Sequence, residues 1–246
     1  MNEGSDELRK AARQLIDTEL LLGGEDIPAE RNPLPAPEGG RSLSPGGVST
    51  EDKQRLLEQM DADEVRPCTK CRLCESRRQT VFGEGGAGAE LVFVGEGPGE
   101  EEDRQGRPFV GRAGKKLDEM IAAMGLRRQD VYICNVVKCR PPGNRAPLPD
   151  EAHACCGYLI RQLEIIRPKV ICTLGNPATQ ALLNTKVGIT KLRGAWQQLG
   201  MIGEGLANTA VMPTFHPAFL LRQYTQENRR KVWEDLQKVM EALDVK

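Results

Sequence analysis

The stretch LVFVGEGPGEEED, residues 91–103, decides the fold. Its first part, Leu91–Gly95, is a short and continuous apolar run, which is typical of a strand buried on both faces of a sheet. A glycine-rich turn and an acidic run follow at once. The pattern therefore predicts a buried strand whose end carries a chemically distinctive loop.

Three similar apolar runs follow, at residues 131–137 (VYICNVV), 169–175 (KVICTLG) and 210–215 (AVMPTF). Helical patterns also occur, at residues 114–124, 149–167, 177–183 and 226–243. Alternating strands and helices predict an α/β fold, a three-layer α/β/α sandwich with a central four-stranded parallel sheet. In such sheets ligands bind beyond the carboxyl ends of the strands, so we expect the site there.

Charge is unevenly distributed along the 246 residues. Residues 1–64 hold 7 Lys and Arg against 15 Asp and Glu, whereas the remainder holds 27 against 20. Residues 5–22 have a helical pattern, and residues 23–50 are rich in Gly, Pro and Ser. Residues 51–64 are charged and helix-prone. We expect a flexible acidic N-terminal extension over residues 1–64, and one folded domain over residues 65–246. The basic domain suits a polyanionic partner, although such charge also serves solubility.

Neither a signal peptide nor an apolar run of membrane-spanning length is recognisable in the sequence. We therefore expect a soluble, cytoplasmic protein that needs no membrane. Because structural disulfides are rare in cytoplasmic proteins, we do not expect its cysteines to form them.

Four of the eight cysteines form two separated pairs. Cys68 and Cys71 make a C-x2-C motif, and Cys139 and Cys155 lie far downstream. Four cysteines from two regions suggest a tetrahedral metal site or a cluster, although a lone C-x2-C is also typical of a redox pair. Spacing alone does not distinguish zinc from iron–sulfur.

The other four cysteines fall into two groups. Cys74 and Cys156 adjoin the candidate ligands, and either could replace its neighbour. Cys134 and Cys172 lie inside strand-like runs, where a buried and inert thiol is expected.

Four ordered motifs resemble those of the family 4 uracil-DNA glycosylases. They are CTKCRLCESRRQTVFGEG (68–85), VGEGPGEEEDRQGRPFVGRAG (94–114), NVVKCRPPGNRAPLPDEAHAC (135–155) and FHPAFLLR (215–222). The resemblance covers about residues 65–240 and is far more specific than a lone glycine-rich loop. It implies an α/β/α fold, a [4Fe–4S] cluster, and removal of uracil from single- and double-stranded DNA, the first step of base excision repair.

Matching by position, the resemblance implies Cys68, Cys71, Cys139 and Cys155 as cluster ligands. We expect the cluster to be mainly structural. We also expect the protein to be a monomer whose partner is uracil-containing DNA.

Cleaving the N-glycosidic bond leaves positive charge on the sugar and negative charge on uracil, after the base has left the stack. The resemblance makes His216 the donor to uracil O2. The side-chain amide of Asn135 offers a carbonyl acceptor for N3–H of uracil and an NH2 donor for O4 of uracil. Cytosine reverses both positions, so this amide selects uracil over cytosine. Phe109 could stack on the flipped base. A strand-end histidine, a turn-capping asparagine and a core phenylalanine are the structural alternatives.

Glu96 and Gly97 form the turn after the first strand. Gly97 allows the backbone to approach the base, and Glu96 resembles the family's motif acid, which could orient water or hold the loop. Asn144 matches a second polar position and could also contact the water. The residue that activates the water stays open. Glu102 and Asp103 could instead brace the loop or cap the next helix.

Two further features suggest contact with DNA. Residues 218–221 could insert an apolar side chain into the duplex. The residues expected to contact phosphate are Arg104, Arg107, Arg112, Lys115, Lys138, Arg140, Arg145 and Arg222.

Three other functions stay open. A glycosylase of another base preference would also release hypoxanthine or xanthine. A non-catalytic iron–sulfur module would bind nucleic acid without releasing a base. A zinc-stabilised protein could use the glycine-rich turn to bind phosphate.

Overall fold

The computed structural model describes residues 48–199, 206 and 209–245. The helical pattern expected at residues 5–22, and nearly all of the linker expected at residues 23–50, lie outside the described residues. Gly47–Lys246 form one compact unit. Within the described part of the chain, none of the helices has the length and apolar character needed to cross a membrane.

The described strands form one mixed sheet. They are β1 (Glu84–Gly85), β2 (Leu91–Gly95), β3 (Tyr132–Asn135), β4 (Val170–Leu174), β5 (Gln197–Gln198) and β6 (Ala210–Thr214). Their order is β1-β3-β2-β4-β6-β5. Neighbours among the four central strands run parallel, and the two edge strands pair antiparallel. The carboxyl ends of the central strands therefore meet at one edge of the sheet.

The described α-helices cover both faces of this sheet. They are α1 (Thr50–Met60), α2 (Glu100–Gln105), α3 (Arg112–Ala123), α4 (Pro149–Ile166), α5 (Asn176–Leu183), α6 (Ile189–Leu192), α7 (Pro217–Arg222) and α8 (Gln226–Ala242). A π-helical turn, Asp61–Val65, continues α1, and a short 3-10 turn spans Arg72–Glu75.

Alternation along the strands divides the interior into two cores. Val92 and Val94 of β2 face one core with α1, α4 and α5, while Leu91 and Phe93 face the other with α3, α7 and α8. Successive side chains of a strand point to opposite faces, so a continuous apolar strand supplies both cores. The three-layer α/β/α arrangement follows from this pattern.

The expected fold class is confirmed, with two additional strands. The four apolar runs form the parallel centre of the sheet. The edge strands β1 and β5 were not expected, since each has two residues and is too short to show alternation.

The compact unit begins before residue 65. Helix α1 buries Leu57 and Met60 in the core, and Nζ of Lys53 donates to the backbone carbonyl of Ile166 at 2.8 Å. Three-residue spacing puts the two apolar side chains on one face of an otherwise charged helix. The boundary expected between residues 64 and 65 therefore lies inside the unit.

Candidate active site and cysteine pocket

Two strand ends meet where the glycine-rich turn begins. Gly95 ends β2, Asn135 ends β3, and the two are paired in register. His216 lies just past the end of β6 and caps α7. The parallel strands thus bring residues from distant motifs to one edge of the sheet.

Asn135 is buried, and its Oδ1 has no hydrogen-bond partner among the described residues. A Cβ atom placed on Gly95 would lie 2.4 Å from this oxygen. A buried acceptor without a donor costs about 1–3 kcal/mol. Such an oxygen marks a place where a ligand N–H fits.

The ring of Phe109 lies close to both Gly95 and His216. Its Cζ would be 2.5 Å from a Cβ on Gly95, and its ring centroid lies 5.7 Å from that of His216, with the planes tilted by 31°. Phe109 also has a φ of 50°, which is uncommon outside glycine. Strained backbone of this kind persists where its surroundings fix it, often at functional sites.

Glu102 and Arg128 hold the backbone around Phe109. Oε1 of Glu102 accepts from the N–H groups of Val110 and Gly111 at 2.8 and 2.9 Å, and its Oε2 accepts from Gly99 at 3.1 Å. Nη1 of Arg128 donates to the carbonyl of Phe109 at 3.1 Å. Glu102 therefore braces the loop, which was one of the two roles considered for it.

His216 is partly buried, and its tautomer follows from one hydrogen bond. Nδ1 accepts from the backbone N–H of Ala218 at 3.0 Å, so the proton of the neutral ring lies on Nε2. Burial, followed by the charge of Arg222, lowers the pKa of His216 to about 4. The ring is therefore a neutral hydrogen-bond donor at pH 7.

Glu96 is partly buried, and burial raises the pKa of its carboxyl. No hydrogen bond or ion pair of this carboxyl occurs within the described part of the chain. Its backbone carbonyl accepts from Val137 at 3.1 Å. A Cβ on Gly97 would lie 2.7 Å from Cγ2 of Val137, so glycine lets the turn pack closely.

Asn144 lies on an exposed 3-10 turn, Pro142–Asn144. Its Oδ1 accepts from Nε of Arg140 at 2.7 Å. None of the hydrogen bonds among the described residues joins it to Asn135, Phe109 or His216, so the water role expected for Asn144 stays a prediction.

Five cysteines line one pocket on the α4 side of the sheet: Cys68, Cys71, Cys74, Cys139 and Cys155. The first three come from the segment around the 3-10 turn, Cys139 follows β3, and Cys155 lies on α4. Two distant motifs are thus brought together. Five thiols at one pocket leave the choice between Cys71 and Cys74 open.

Cys156 lies outside this group, because its thiol donates to the carbonyl of His153 at 3.2 Å. Cys155 instead faces the pocket, where its Sγ accepts from the backbone N–H of Lys138 at 3.2 Å. Burial raises the pKa of the Cys155 thiol to about 12, so ligation of a metal must displace a firmly held proton.

The side chains of this pocket have the donor chemistry that an iron–sulfur cluster requires. Nη1 of Arg77 donates to Sγ of Cys139 at 3.1 Å, so two of the thiols already accept hydrogen bonds, as cluster sulfurs do. No three His, Cys, Asp or Glu side chains in the described residues gather closely enough to hold a single ion. The donor set is all sulfur, which suits zinc or iron–sulfur rather than a hard cation.

Comparison with known proteins agrees with this geometry. The family model of the uracil DNA glycosylase superfamily matches residues 82–237. The chain belongs to the uracil-DNA glycosylase superfamily.

Within the superfamily, its relatives are mainly of one type. The type-4 uracil-DNA glycosylase of Thermotoga maritima is 50% identical over 187 residues, which are 76% of this chain and 94% of that protein. That of Saccharolobus solfataricus is 48% identical over 190 residues, 75% of this chain and 86% of that protein. A type-5 uracil-DNA glycosylase of Pyrobaculum aerophilum is 32% identical over 151 residues, 54% of this chain and 63% of that protein. The chain thus belongs with the type-4 uracil-DNA glycosylases.

The basic residues of this superfamily member divide into three groups. Lys138 is buried in the interior, so the phosphate contact expected for it is wrong. Several others pair with carboxylates: Arg104 with Glu101, Arg107 with Glu84, Arg140 with Glu100 and Arg145 with Glu151. Arg112, Lys115 and Arg222 are exposed and stay candidates for phosphate contact.

The apolar residues after His216 are mostly occupied. Leu220 is buried in the core, and the ring of Phe219 lies 4.6 Å from that of Phe215. Insertion into the duplex would therefore fall to Ala218 or Leu221, which are only partly buried.

Three residues of the site were missed by sequence reasoning. Gly95 and Gly175 leave room for Asn135 and His216, since a Cβ on Gly175 would lie 3.0 Å from that of His216. Lys138 was assigned to the surface. A glycine at the end of an apolar run was the available signal for the first two, and nothing in the sequence predicted the burial of the lysine.

Proposed function

We propose that this chain is a uracil-DNA glycosylase, a hydrolase that flips uracil out of DNA, breaks its N-glycosidic bond and starts base excision repair. One observation carries the proposal beyond family membership. It is the buried Oδ1 of Asn135, which has no partner among the described residues and lies beside Phe109 and near a neutral His216. A binding module that does not select a base has no need of this arrangement.

Asn135 selects the base. Its Oδ1 accepts from uracil N3–H, and its amide N–H donates to uracil O4. Cytosine presents an acceptor and a donor in the reverse order, which leaves two buried pairs mismatched. A wrong base that leaves buried polar groups unpaired binds much more weakly, and this difference gives a polar pocket its high specificity.

His216 and Phe109 act on the flipped base. Phe109 stacks on the ring, and Nε2–H of His216 donates to O2, where negative charge grows as the bond breaks. A neutral donor fits this task because it needs no proton transfer. Gly97 brings the turn close to the base, and the carboxylate of Glu96 orients the water and faces the positive charge on the sugar.

A [4Fe–4S] cluster on Cys68, Cys71, Cys139 and Cys155 completes the protein. When bound, it supplies a cross-link between the N-terminal cysteine segment, the loop after β3 and α4. The four thiolates come from three segments of the chain, so the cluster contributes directly to folding.

The substrate is uracil in single- or double-stranded DNA. Exposed Arg112, Lys115 and Arg222 face phosphate. We expect a cytoplasmic monomer. Residues 1–46, which precede the compact unit, should be dispensable for the chemistry.

The decisive experiment is incubation with an oligonucleotide that carries one uracil, followed by alkaline cleavage at the abasic site. The expected result is one cut at the uracil position and none in the matched oligonucleotides with thymine or cytosine. Firm binding of the uracil oligonucleotide without base release would instead favour the non-catalytic module. Hypoxanthine and xanthine oligonucleotides measure side activity in the same assay.

A further inference from the structure

Lys138 is a fully buried lysine between the cysteine pocket and the end of β3, with 1% of its surface exposed. It forms no ion pair among the described residues. Burying an ammonium group without a paired charge is costly, whereas a methionine of similar length would fill the same space without that cost. Its hydrogen bonds must therefore account for its presence.

Nζ of Lys138 donates to two acceptors. One is the backbone carbonyl of Asn135 at 2.8 Å, and the other is Oε1 of Gln162 on α4. Gln162 is held in turn, since its Nε2 donates to the carbonyl of Phe82 at 3.0 Å and to the hydroxyl of Tyr132 at 3.1 Å. The ammonium group thus links Asn135 to a fixed side chain of the helix.

On the side of Asn135 that faces β1, no described strand pairs with the backbone carbonyl of this residue. The edge strand β1 pairs only with Tyr132 and Ile133, so it ends before Asn135. On the other side, Gly95 of β2 accepts from Val136. Pairing with β1 ends at Ile133, two residues before Asn135. Lys138 therefore donates the hydrogen bond that a longer edge strand would have given to the carbonyl of Asn135.

The backbone of Lys138 is tied to the cysteine pocket. Its N–H donates to Sγ of Cys155, and the next residue is Cys139. One residue therefore contacts a candidate cluster ligand through its backbone and the uracil-selecting asparagine through its side chain.

We propose that Lys138 is a positioning residue, which holds Asn135 at the angle needed for uracil and ties that angle to the cysteine-bearing segment. The proposal rests on the proposed function. The ammonium group does not touch the base. It fixes the peptide of the residue that does.

The test compares Lys138→Met with the parent, as full-length protein with its cluster. Three quantities are measured: the iron–sulfur absorbance with iron content, the inhibition constant of free uracil, and the affinity for an oligonucleotide with an abasic site. Lys138→Met should keep the absorbance and the abasic-site affinity, while inhibition by uracil weakens about tenfold or more, as for loss of a charged hydrogen bond.

A loss of folded protein would lower the active fraction but change neither the inhibition constant of uracil nor the abasic-site affinity. These two constants therefore distinguish a positioning role of Lys138 from a purely stabilising one. Lys70→Met is the matched control. Lys70 is exposed and lines the same cysteine pocket, but it has no hydrogen bond to Asn135. Its variant should keep both constants within about twofold, less than the loss of one hydrogen bond.

Unchanged inhibition by uracil in Lys138→Met, or equal weakening in the two lysine variants, would overturn the proposal. If Lys138→Met does not fold, Gln162→Met loosens the other anchor of Nζ. Gln162→Met should weaken inhibition by uracil by a smaller factor and leave the abasic-site affinity unchanged. Inhibition of Gln162→Met at the parent level would also overturn the proposal. A parent protein that neither releases nor binds uracil would refute the proposed function instead.

Discussion

Gly95 lies so close to Asn135 that a Cβ atom on the glycine would be 2.4 Å from Oδ1 of the asparagine. The same Cβ would be 2.5 Å from the ring of Phe109. Gly95→Ala should therefore displace one of these side chains. Misplacement by about 1 Å costs on the order of a hundredfold in rate, so single-turnover release of uracil should fall to that extent.

The matched control for Gly95 is Gly157, on helix α4. A Cβ there meets nothing within 4 Å. Gly157→Ala should keep the rate and raise the free energy of unfolding by about 0.5–1 kcal/mol, because alanine favours the helix. Parent-like cleavage by Gly95→Ala would show that this strand end does not bound the pocket.

His216 should govern how fast the bond breaks. Removing one preorganised donor typically costs on the order of a hundredfold or more in rate. His216→Ala should therefore slow single-turnover cleavage by about this factor. DNA affinity should stay nearly unchanged, since the role proposed for the ring is contact with the base and not with phosphate. Cleavage at the parent rate would place the pocket elsewhere.

The acid limb of the pH–rate profile should belong to Glu96. Burial raises its pKa above the ordinary 4.5, whereas His216 stays neutral down to about pH 4. The active carboxylate is present above the Glu96 pKa, so the rate should fall as pH falls through that value, before His216 takes up a proton. Single-turnover rates across this range test the assignment.

Glu96→Gln is the control for that profile. It should be slow at every pH and lose the acid limb, because the amide does not titrate. An unchanged limb in Glu96→Gln would assign the titration to another group.

Cys155 and Cys156 should differ sharply as alanine variants. Cys155 faces the pocket, and Cys156 donates to a carbonyl outside it. Cys155→Ala should lose the brown colour and much of the folded protein, while Cys156→Ala keeps both. Visible absorbance and iron content measure the cluster in both variants. The reverse result would show that Cys156, and not Cys155, is the ligand.

Asn135→Asp should relax the choice of base. A carboxyl group, ionised or protonated, no longer enforces one acceptor and one N–H donor in fixed positions. The variant should gain some cleavage of cytosine and lose rate on uracil. Single-turnover cleavage of matched oligonucleotides with uracil or cytosine measures both, and a variant as selective as the parent would remove Asn135 from base selection.

The sequence predicted the centre of the fold well, because buried parallel strands are continuous apolar runs with helices between them. The strand Leu91–Gly95 matches the expected bounds, and the other three end within two residues of theirs. The features that the sequence did not predict are either very short or depend on packing between distant segments. Strand β1 has only two residues. The helix-prone character of residues 51–64 was recognised, but the burial of α1 was missed because its apolar face is a few side chains among many charges.

What the sequence determined by itself was the layered α/β fold, the family and the set of chemical groups, since each depends on residue type and order. Tertiary structure alone decided how these groups meet. It paired Gly95 with Asn135 across two strands, turned Cys155 rather than Cys156 toward the pocket, and buried Lys138. The physical reason is that a side chain's direction and burial depend on elements distant in the chain, and no local pattern encodes them.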